Sequence, residues 1–87
     1  MTAQLDLHNM TVKAGQDALS HFIHRSGGHT MQCVRIIHGK GLRSNQGPRL
    51  KIMARQLLRE HPRVLAFNAC KPAQGGEGAT DVLLKAS

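Results

Sequence analysis

Two short polar motifs hold the residues of this chain that could carry out chemistry. Asp6 and His8 end an alternating polar and apolar run, and His38 opens a His-Gly-Lys-Gly sequence after a second apolar run. An Asp beside a His can orient the imidazole and fix its tautomer. If both runs are parallel strands, the two histidines meet at one edge of a sheet, where open α/β folds bind ligands. The pattern indicates a site for a phosphodiester, although a surface strand with an incidental histidine would explain the first motif alone.

The second motif has the composition of an anion-binding loop. Gly39 and Gly41 flank Lys40, so the backbone can turn tightly and point N–H groups at an anion beside the lysine charge. Arg43 follows closely and could add a second charge. The motif is not a Walker A loop, because Leu42 stands where that loop has Ser or Thr. An ordinary turn that begins with a histidine is the alternative.

The third candidate is a glycine-rich stretch before the last apolar run. Its glycines suggest a backbone that passes close to a substrate or to the other two loops. A flexible hairpin loop explains the same composition equally well. The residues expected to contact the phosphodiester here are Gly75, Gly76, Gly78 and Thr80.

The charge of the chain favours a polyanionic partner. Lysines and arginines outnumber acidic residues by 12 to 5, for a formal net charge of +7, which favours nucleic acid or a ribosome over a membrane surface. Lys51, Arg55 and Arg59 recur every four residues along one side of a predicted helix. Because like charges at this spacing repel, the row either serves a polyanion or is simply a solvated face. No cofactor is expected, and no metal site, because Asp6 is the only carboxylate near the histidines.

Residues 1–87 are predicted to form a single domain that positions these motifs. Strands are predicted over 4–7, 33–37, 64–70 and 80–85, and helices over 12–26, with Thr11 as N-cap, and 48–60. The fold class is α/β: a two-layer sandwich in the order β-α-β-α-β-β, with a four-stranded mixed sheet and two helices. The helical crossovers favour parallel strands, and the last two strands are predicted to pair antiparallel.

The two cysteines give an indication of the cellular compartment. Cys33 and Cys70 lie within apolar runs and have no Cys-x-x-Cys partner. They are predicted to be buried free thiols of a cytoplasmic protein, with a disulfide or a metal site as the alternative. No apolar run is long enough to span a membrane, and the first residues lack the pattern of a signal peptide.

Taken together, the three motifs resemble the small MutS-related domain, called Smr. They occur in family order over nearly the whole chain. Asp6 and His8 fall on the family's Asp-Leu-His signature, and His38 begins its His-Gly-x-Gly loop. The glycines of the third motif, with Thr80, fall on the family's last motif. The resemblance implies a two-layer α/β fold similar to the C-terminal domain of a translation initiation factor. It also implies a nuclease that nicks DNA or cleaves RNA, in some members at stalled ribosomes.

One position departs from the family pattern. Asn9 stands where the family often has glycine, and asparagine tolerates a left-handed backbone better than most residues, so the turn is expected to survive. Stand-alone relatives usually carry an N-terminal extension, whereas this chain begins almost at the first motif. We therefore expect a domain excised from a longer protein.

These observations lead to one main hypothesis and two alternatives. The main one is a metal-independent endonuclease, with RNA the more favoured substrate than DNA. One histidine would take the 2′-OH proton and the other would protonate the leaving 5′-oxygen, while Lys40 and the loop amides stabilise the charged phosphorus. The alternatives are a non-catalytic module that binds RNA or a ribosome, and a protein-interaction domain that uses its open sheet face. The oligomeric state is not predicted.

Overall fold

The computed structural model describes residues 3–26, 28, 30–39, 47–71 and 76–86. The elements in chain order are β1 (Ala3–Asp6), α1 (Val12–Arg25), β2 (Gln32–Ile37), α2 (Gly47–Glu60), β3 (Val64–Ala69) and β4 (Ala79–Leu84), with a short 3-10 turn, Gly76–Gly78, before β4. The predicted order is confirmed, and the ends lie within one residue of those predicted. Thr11 caps α1 as predicted, since its Oγ1 accepts a hydrogen bond from the Ala14 amide at 3.1 Å. Neither helix in the described part of the chain is both long and apolar enough to cross a bilayer.

The four strands form one mixed sheet in the order β1-β2-β4-β3. β1 pairs parallel with β2, while β4 lies antiparallel between β2 and β3. β1, β2 and β3 therefore all run in the same direction. Their C-terminal ends lie at one end of the sheet, together with the beginning of β4. This end, called the loop end below, is where the polar motifs converge.

Both helices pack on one face of the sheet and share one core with it. The strands contribute alternate residues, because side chains two apart point to the same face. The buried apolar side chains of this core are Leu7, Leu19, Ile23, Val34, Ile36, Ala54, Leu58, Val82 and Leu84. Gly15 allows the helices to approach closely, since a Cβ there would lie only 2.9 Å from a methyl group of Leu50 on α2.

The other face of the sheet carries the residues between these core positions. Arg35 of β2 lies opposite Asp81 of β4, and its Nε donates to the Asp81 carboxylate at 2.8 Å. The Cys70 thiol donates to the same carboxylate at 3.2 Å. The hydrogen bond from Arg35 lowers the pKa of Asp81, against partial burial, which raises it, and Cys70 adds to the lowering. The sheet thus keeps an ion pair at its centre on this face.

The two cysteines differ in burial, and the prediction for one of them is wrong. Cys70 is buried, as predicted, and burial raises the pKa of its thiol, with a further increase from Asp81. Cys33 is exposed. It alternates along β2 with the buried Val34, so its side chain lies on the face away from the helices. An apolar run alone did not show which face each residue takes.

Candidate functional site

The first two motifs are adjacent because β1 and β2 pair in parallel. The Leu7 amide donates to the Ile37 carbonyl at 2.6 Å, which extends the pairing to the end of both strands. His8 then lies against the second loop: a Cβ placed on Gly39 would be 4.0 Å from the His8 Cβ. Gly39 has a φ of 83°, in the left-handed region that glycine adopts without strain. The expected meeting of the two motifs at the loop end is confirmed.

The third motif joins them through its backbone. The Gly78 carbonyl accepts hydrogen bonds from the His38 amide at 3.1 Å and from the Gly39 amide at 2.9 Å. These two amides hold the second loop against the start of β4, so the amides predicted to face an anion would have to come from the rest of the loop. Lys40, Gly41, Arg43 and Gly75 lie outside the described residues. Gly76, with a φ of 53°, begins the 3-10 turn that leads to Gly78.

Asp6 and His8 form an exposed pair, called the dyad below. His8 Nδ1 lies 2.5 Å from Asp6 Oδ1, and the His8 amide donates to the same oxygen at 3.0 Å. The side chains are 57% and 47% exposed for His8 and Asp6. Because an ionised carboxylate only accepts hydrogen bonds, His8 carries a proton on Nδ1. In the neutral imidazole Nε2 is then the basic nitrogen, and it can exchange a proton with a ligand.

The charge state of Asp6 supports this arrangement. Partial burial raises the pKa of Asp6. Two hydrogen bonds from His8, one from its side chain and one from its backbone, lower this pKa, and so does the His8 charge. Together they outweigh the burial, so the pKa of Asp6 lies below the ordinary 3.8. Asp6 is therefore a carboxylate throughout the neutral range. It can hold the ring of His8 in one tautomer and one orientation.

His38 lies in the opposite environment. Its side chain is only 1% exposed, and Thr80 beneath it is fully buried. His38 Nδ1 donates to the Gly39 carbonyl at 2.9 Å, and Nε2 lies 2.9 Å from the Thr80 hydroxyl. Both ring nitrogens are thus engaged inside the protein. This arrangement suits a residue that fixes the conformation of the loop. Thr80 was predicted to contact the phosphodiester, and in the structure its hydroxyl contacts His38 Nε2.

The turn after the dyad contains the position that departs from the family pattern. Asn9 has a φ of 69°, and among the described non-glycine residues no other φ is positive. The Met10 amide donates to the Leu7 carbonyl at 3.0 Å and closes the turn. The expectation that asparagine accepts the left-handed conformation here is confirmed.

The basic row of α2 lies away from the dyad. Arg55 and Arg59 line a cavity beside β3, on the opposite edge of the sheet from β1. Lys51 is one turn before Arg55 on the same helix. In the described part of the chain, no three His, Cys, Asp or Glu side chains are grouped so that they could hold a metal ion.

Sequence reasoning missed the role of Arg63. Its guanidinium donates to the Ile23 carbonyl at 2.6 Å, to the Ser26 carbonyl, and to the Lys85 carbonyl at 3.1 Å. It thereby satisfies carbonyls at the end of α1 and joins them to the end of β4. The sequence gives no signal that an arginine after α2 bonds to backbone carbonyls of such distant segments.

Curated proteins with similar sequences include the following two. An uncharacterized protein of Treponema pallidum (strain Nichols) is 36% identical over 85 residues, which are 98% of this chain and 42% of that protein. Endonuclease MutS2 of Carboxydothermus hydrogenoformans is 35% identical over 82 residues, 94% of this chain and 10% of that protein. The chain therefore spans less than half the length of either relative.

Two solved structures are similar in fold and sequence. The Smr domain of Thermus thermophilus MutS2 superposes with a TM-score of 0.81 at 29% identity, covering 97% of this chain and 99% of that one. YdaL, a stand-alone small MutS-related protein from Escherichia coli, gives 0.82 at 29% identity, covering 94% of this chain and 63% of that one. The family model of the Smr domain matches residues 5–85. The resemblance of the three motifs is confirmed over nearly the whole chain, which belongs to the Smr domain family.

Proposed function

We propose that this domain is an endonuclease that cleaves RNA at phosphodiester bonds, with His8 as the group that transfers the proton. The observation that carries the proposal is the dyad: His8 is exposed, and Asp6 holds its Nδ1 at 2.5 Å, so Nε2 is the nitrogen left to act on a ligand. An exposed Asp-oriented imidazole is a suitable general base near neutral pH. Membership of a family whose relatives include proteins named Endonuclease MutS2 supports the same chemistry.

The reaction would use the nucleophile that RNA itself carries. His8 Nε2 takes the proton of the 2′-OH, the 2′-oxygen forms a bond to phosphorus, and the bond from phosphorus to the 5′-oxygen breaks. The products are a 2′,3′-cyclic phosphate and a 5′-hydroxyl, whose proton comes from solvent at this exposed site. Lys40 and Arg43, beyond Gly39 in the chain, are proposed to provide positive charge for the phosphoryl oxygens.

His38 has a different role in this proposal from the one suggested by sequence. A ring whose two nitrogens bond Gly39 and Thr80, and which is 1% exposed, is poorly placed to protonate a leaving group. We assign it to positioning: it holds the loop that lies against His8. The reaction then relies on one exposed histidine rather than on a pair.

A second candidate function is a non-catalytic module that binds RNA or a ribosomal surface. The burial of His38 favours it, because the pair of exposed histidines expected for acid and base catalysis is not assembled at the loop end. The net charge of +7 would serve such binding equally well. In this case His8 would contribute only a hydrogen bond.

The decisive experiment maps the ends of RNA products. The protein is incubated in EDTA with an end-labelled single-stranded RNA, and with the same sequence in DNA. Cleavage of the RNA alone, leaving 2′,3′-cyclic phosphate and 5′-hydroxyl ends, supports the proposal. Ends that carry a 5′-phosphate would show that water is the nucleophile. Binding of both strands without any cleavage would favour the second candidate.

A further inference from the structure

A groove of about 570 Å³ lies between α1 and α2. Val12 and Gln16 form its α1 wall, and residues from the first to the last turn of α2 form the other. All of the described lining residues belong to the two helices, so the groove opens away from the sheet. Ile52 on the α2 wall is 65% exposed, more than any other large apolar side chain of the described residues. The single chain therefore leaves apolar surface uncovered here.

The spacing of the residues on the α2 wall is the same in both directions along the helix. These residues are Arg49, Ile52, Met53, Gln56, Leu57 and Glu60. Successive members are three, one, three, one and three positions apart, which keeps them on one side of the helix. A second α2 that lies antiparallel across this wall meets it in register, because Arg49 then faces Glu60 of the second copy and Ile52 faces its Leu57. Apolar side chains thus meet near the middle, and opposite charges meet at both ends.

The two charges of this wall are unfavourably placed for α2 by itself. Arg49 lies in the first turn and Glu60 is the last residue of the helix, and both side chains are exposed. A helix favours anions near its N-terminus and cations near its C-terminus, so each charge stands at the opposite end from the one that favours it. Neither side chain forms a hydrogen bond or an ion pair with another described residue. In an antiparallel pair, each charge lies beside its opposite and beside the favourable end of the other helix.

We propose that the groove binds a second copy of this chain, in a twofold-symmetric dimer whose two α2 helices pack antiparallel. A different partner would need the same spacing and the same pattern of charges, whereas a second copy has both. The contact uses the same surface on both copies, so it closes at two chains. Because α2 runs from the loop end of the sheet to its opposite end, the two dyads point to opposite ends of the dimer. The proposal concerns assembly and does not depend on whether the dyad cleaves RNA.

The first measurement is the mass of the protein in solution as its concentration rises. Sedimentation velocity and light scattering cover concentrations from about 1 to 500 µM, a range in which weak and moderate complexes form. The salt concentration is about 0.15 M, so that the net charge of +7 on each copy is screened beyond about 8 Å. The mass should rise from that of one chain towards that of two chains and no further, because a closed contact uses the groove of both copies.

Exchange of the two charges tests the antiparallel register. Arg49→Glu places like charges opposite each other at both ends of the interface, and so does Glu60→Arg, so each should weaken self-association at least about tenfold. The double variant, Arg49→Glu with Glu60→Arg, restores opposite charges and should regain most of the association. An equal mixture of the two single variants should also dimerise, since each copy then meets the opposite charge in the other. Circular dichroism checks that all variants are folded, as expected for exposed positions.

Arg25→Glu is the matched control. It changes the net charge by the same amount as Arg49→Glu, but Arg25 lies at the end of α1 and outside the groove, so association should stay unchanged. A wild-type protein that keeps the mass of one chain at every concentration would overturn the dimer. Association that neither single charge variant weakens, or that Arg25→Glu weakens as much as Arg49→Glu, would overturn this interface. Weakening in both single variants without recovery in their mixture would overturn the antiparallel register.

Discussion

Two histidines from neighbouring motifs occupy opposite environments in this domain. His8 is 57% exposed and is held by a carboxylate on one ring nitrogen, whereas His38 is 1% exposed and is held on both. The two histidines therefore have different tasks, although the sequence motifs suggested the same task for both. An exposed ring with one nitrogen available can exchange protons with a ligand, while a buried ring with both nitrogens engaged fixes the backbone around it.

Substitution of His8 should have the largest effect on activity. His8→Ala is expected to lower the single-turnover rate of RNA cleavage by about 10²–10⁴-fold, because it removes the general base. The free energy of unfolding should fall by no more than about 1 kcal/mol, since the pair with Asp6 that is lost is exposed. The matched control is His21→Ala, an exposed histidine on α1, which should leave the rate unchanged. A His8→Ala rate within a few-fold of wild type would remove the dyad from the chemistry.

Substitution of His38 should mainly affect stability. His38→Ala leaves a cavity and an unpaired Thr80 hydroxyl, and should lower the free energy of unfolding by about 2–4 kcal/mol. Thr80→Val, which removes only the hydroxyl, should cost about 1–3 kcal/mol. Denaturant unfolding measures both, and the double variant should be less destabilised than the sum because the residues are in contact. If His38→Ala instead kept wild-type stability and lost cleavage, His38 would belong with His8 in the chemistry.

The contrast between the histidines also shows how far sequence reasoning reached. Hydrophobic periodicity predicted the helices and strands, since the strength of that signal depends only on near neighbours. The insertion of β4 between β2 and β3 was not predicted, because it depends on pairing between distant segments. The identity of His38 and its place among the motifs indicated a site. They did not indicate which way the imidazole ring points.

A signal for the burial of His38 was nevertheless present in β4. Thr80 alternates with the apolar Val82 and Leu84, so it belongs to the core-facing set of that strand. A buried hydroxyl needs a hydrogen-bond partner. His38 supplies one from 42 residues away. No local pattern identifies that partner, whereas Asp6 and His8, two residues apart, could be paired from sequence alone.

Substitution of Asp6 tests how much its carboxylate contributes to the activity of His8. Asp6→Asn removes the carboxylate that orients His8 and should lower the cleavage rate by about 10–100-fold, which corresponds to about 1.4–2.7 kcal/mol of the activation barrier and is less than for His8→Ala. Because the pKa of Asp6 is below 3.8, its carboxylate is ionised from pH 5 upward. Its contribution is therefore present above the ordinary carboxyl pKa and is lost only as pH falls through the lowered one.

A pH–rate profile checks this assignment. Between pH 5 and 8 Asp6→Asn should lower the rate by a constant factor, because Asp6 stays ionised across this range. An acidic limb of the wild-type profile in this range that disappears in Asp6→Asn would show that Asp6 titrates there, and would contradict its lowered pKa.

The smallest expected effect concerns the turn that presents the exposed histidine. Asn9 has a φ of 69°, where a side chain without a short polar group costs about 1–2 kcal/mol. Asn9→Ala should therefore be destabilised by about 1 kcal/mol. Asn9→Gly should remain within about 0.5 kcal/mol of wild type, because easier left-handed geometry is offset by the greater freedom of glycine in the unfolded chain.

Unfolding midpoints and cleavage rates of the same two variants connect this turn to the dyad. If the turn only positions His8, Asn9→Gly should cleave RNA at nearly the wild-type rate, and Asn9→Ala should lose stability with little loss of rate in the folded protein. A much faster Asn9→Gly would mean that asparagine holds His8 away from its best orientation. Equal stability of the glycine and alanine variants would contradict the left-handed turn itself, and with it the geometry that keeps His8 exposed beside the loop that His38 holds in place.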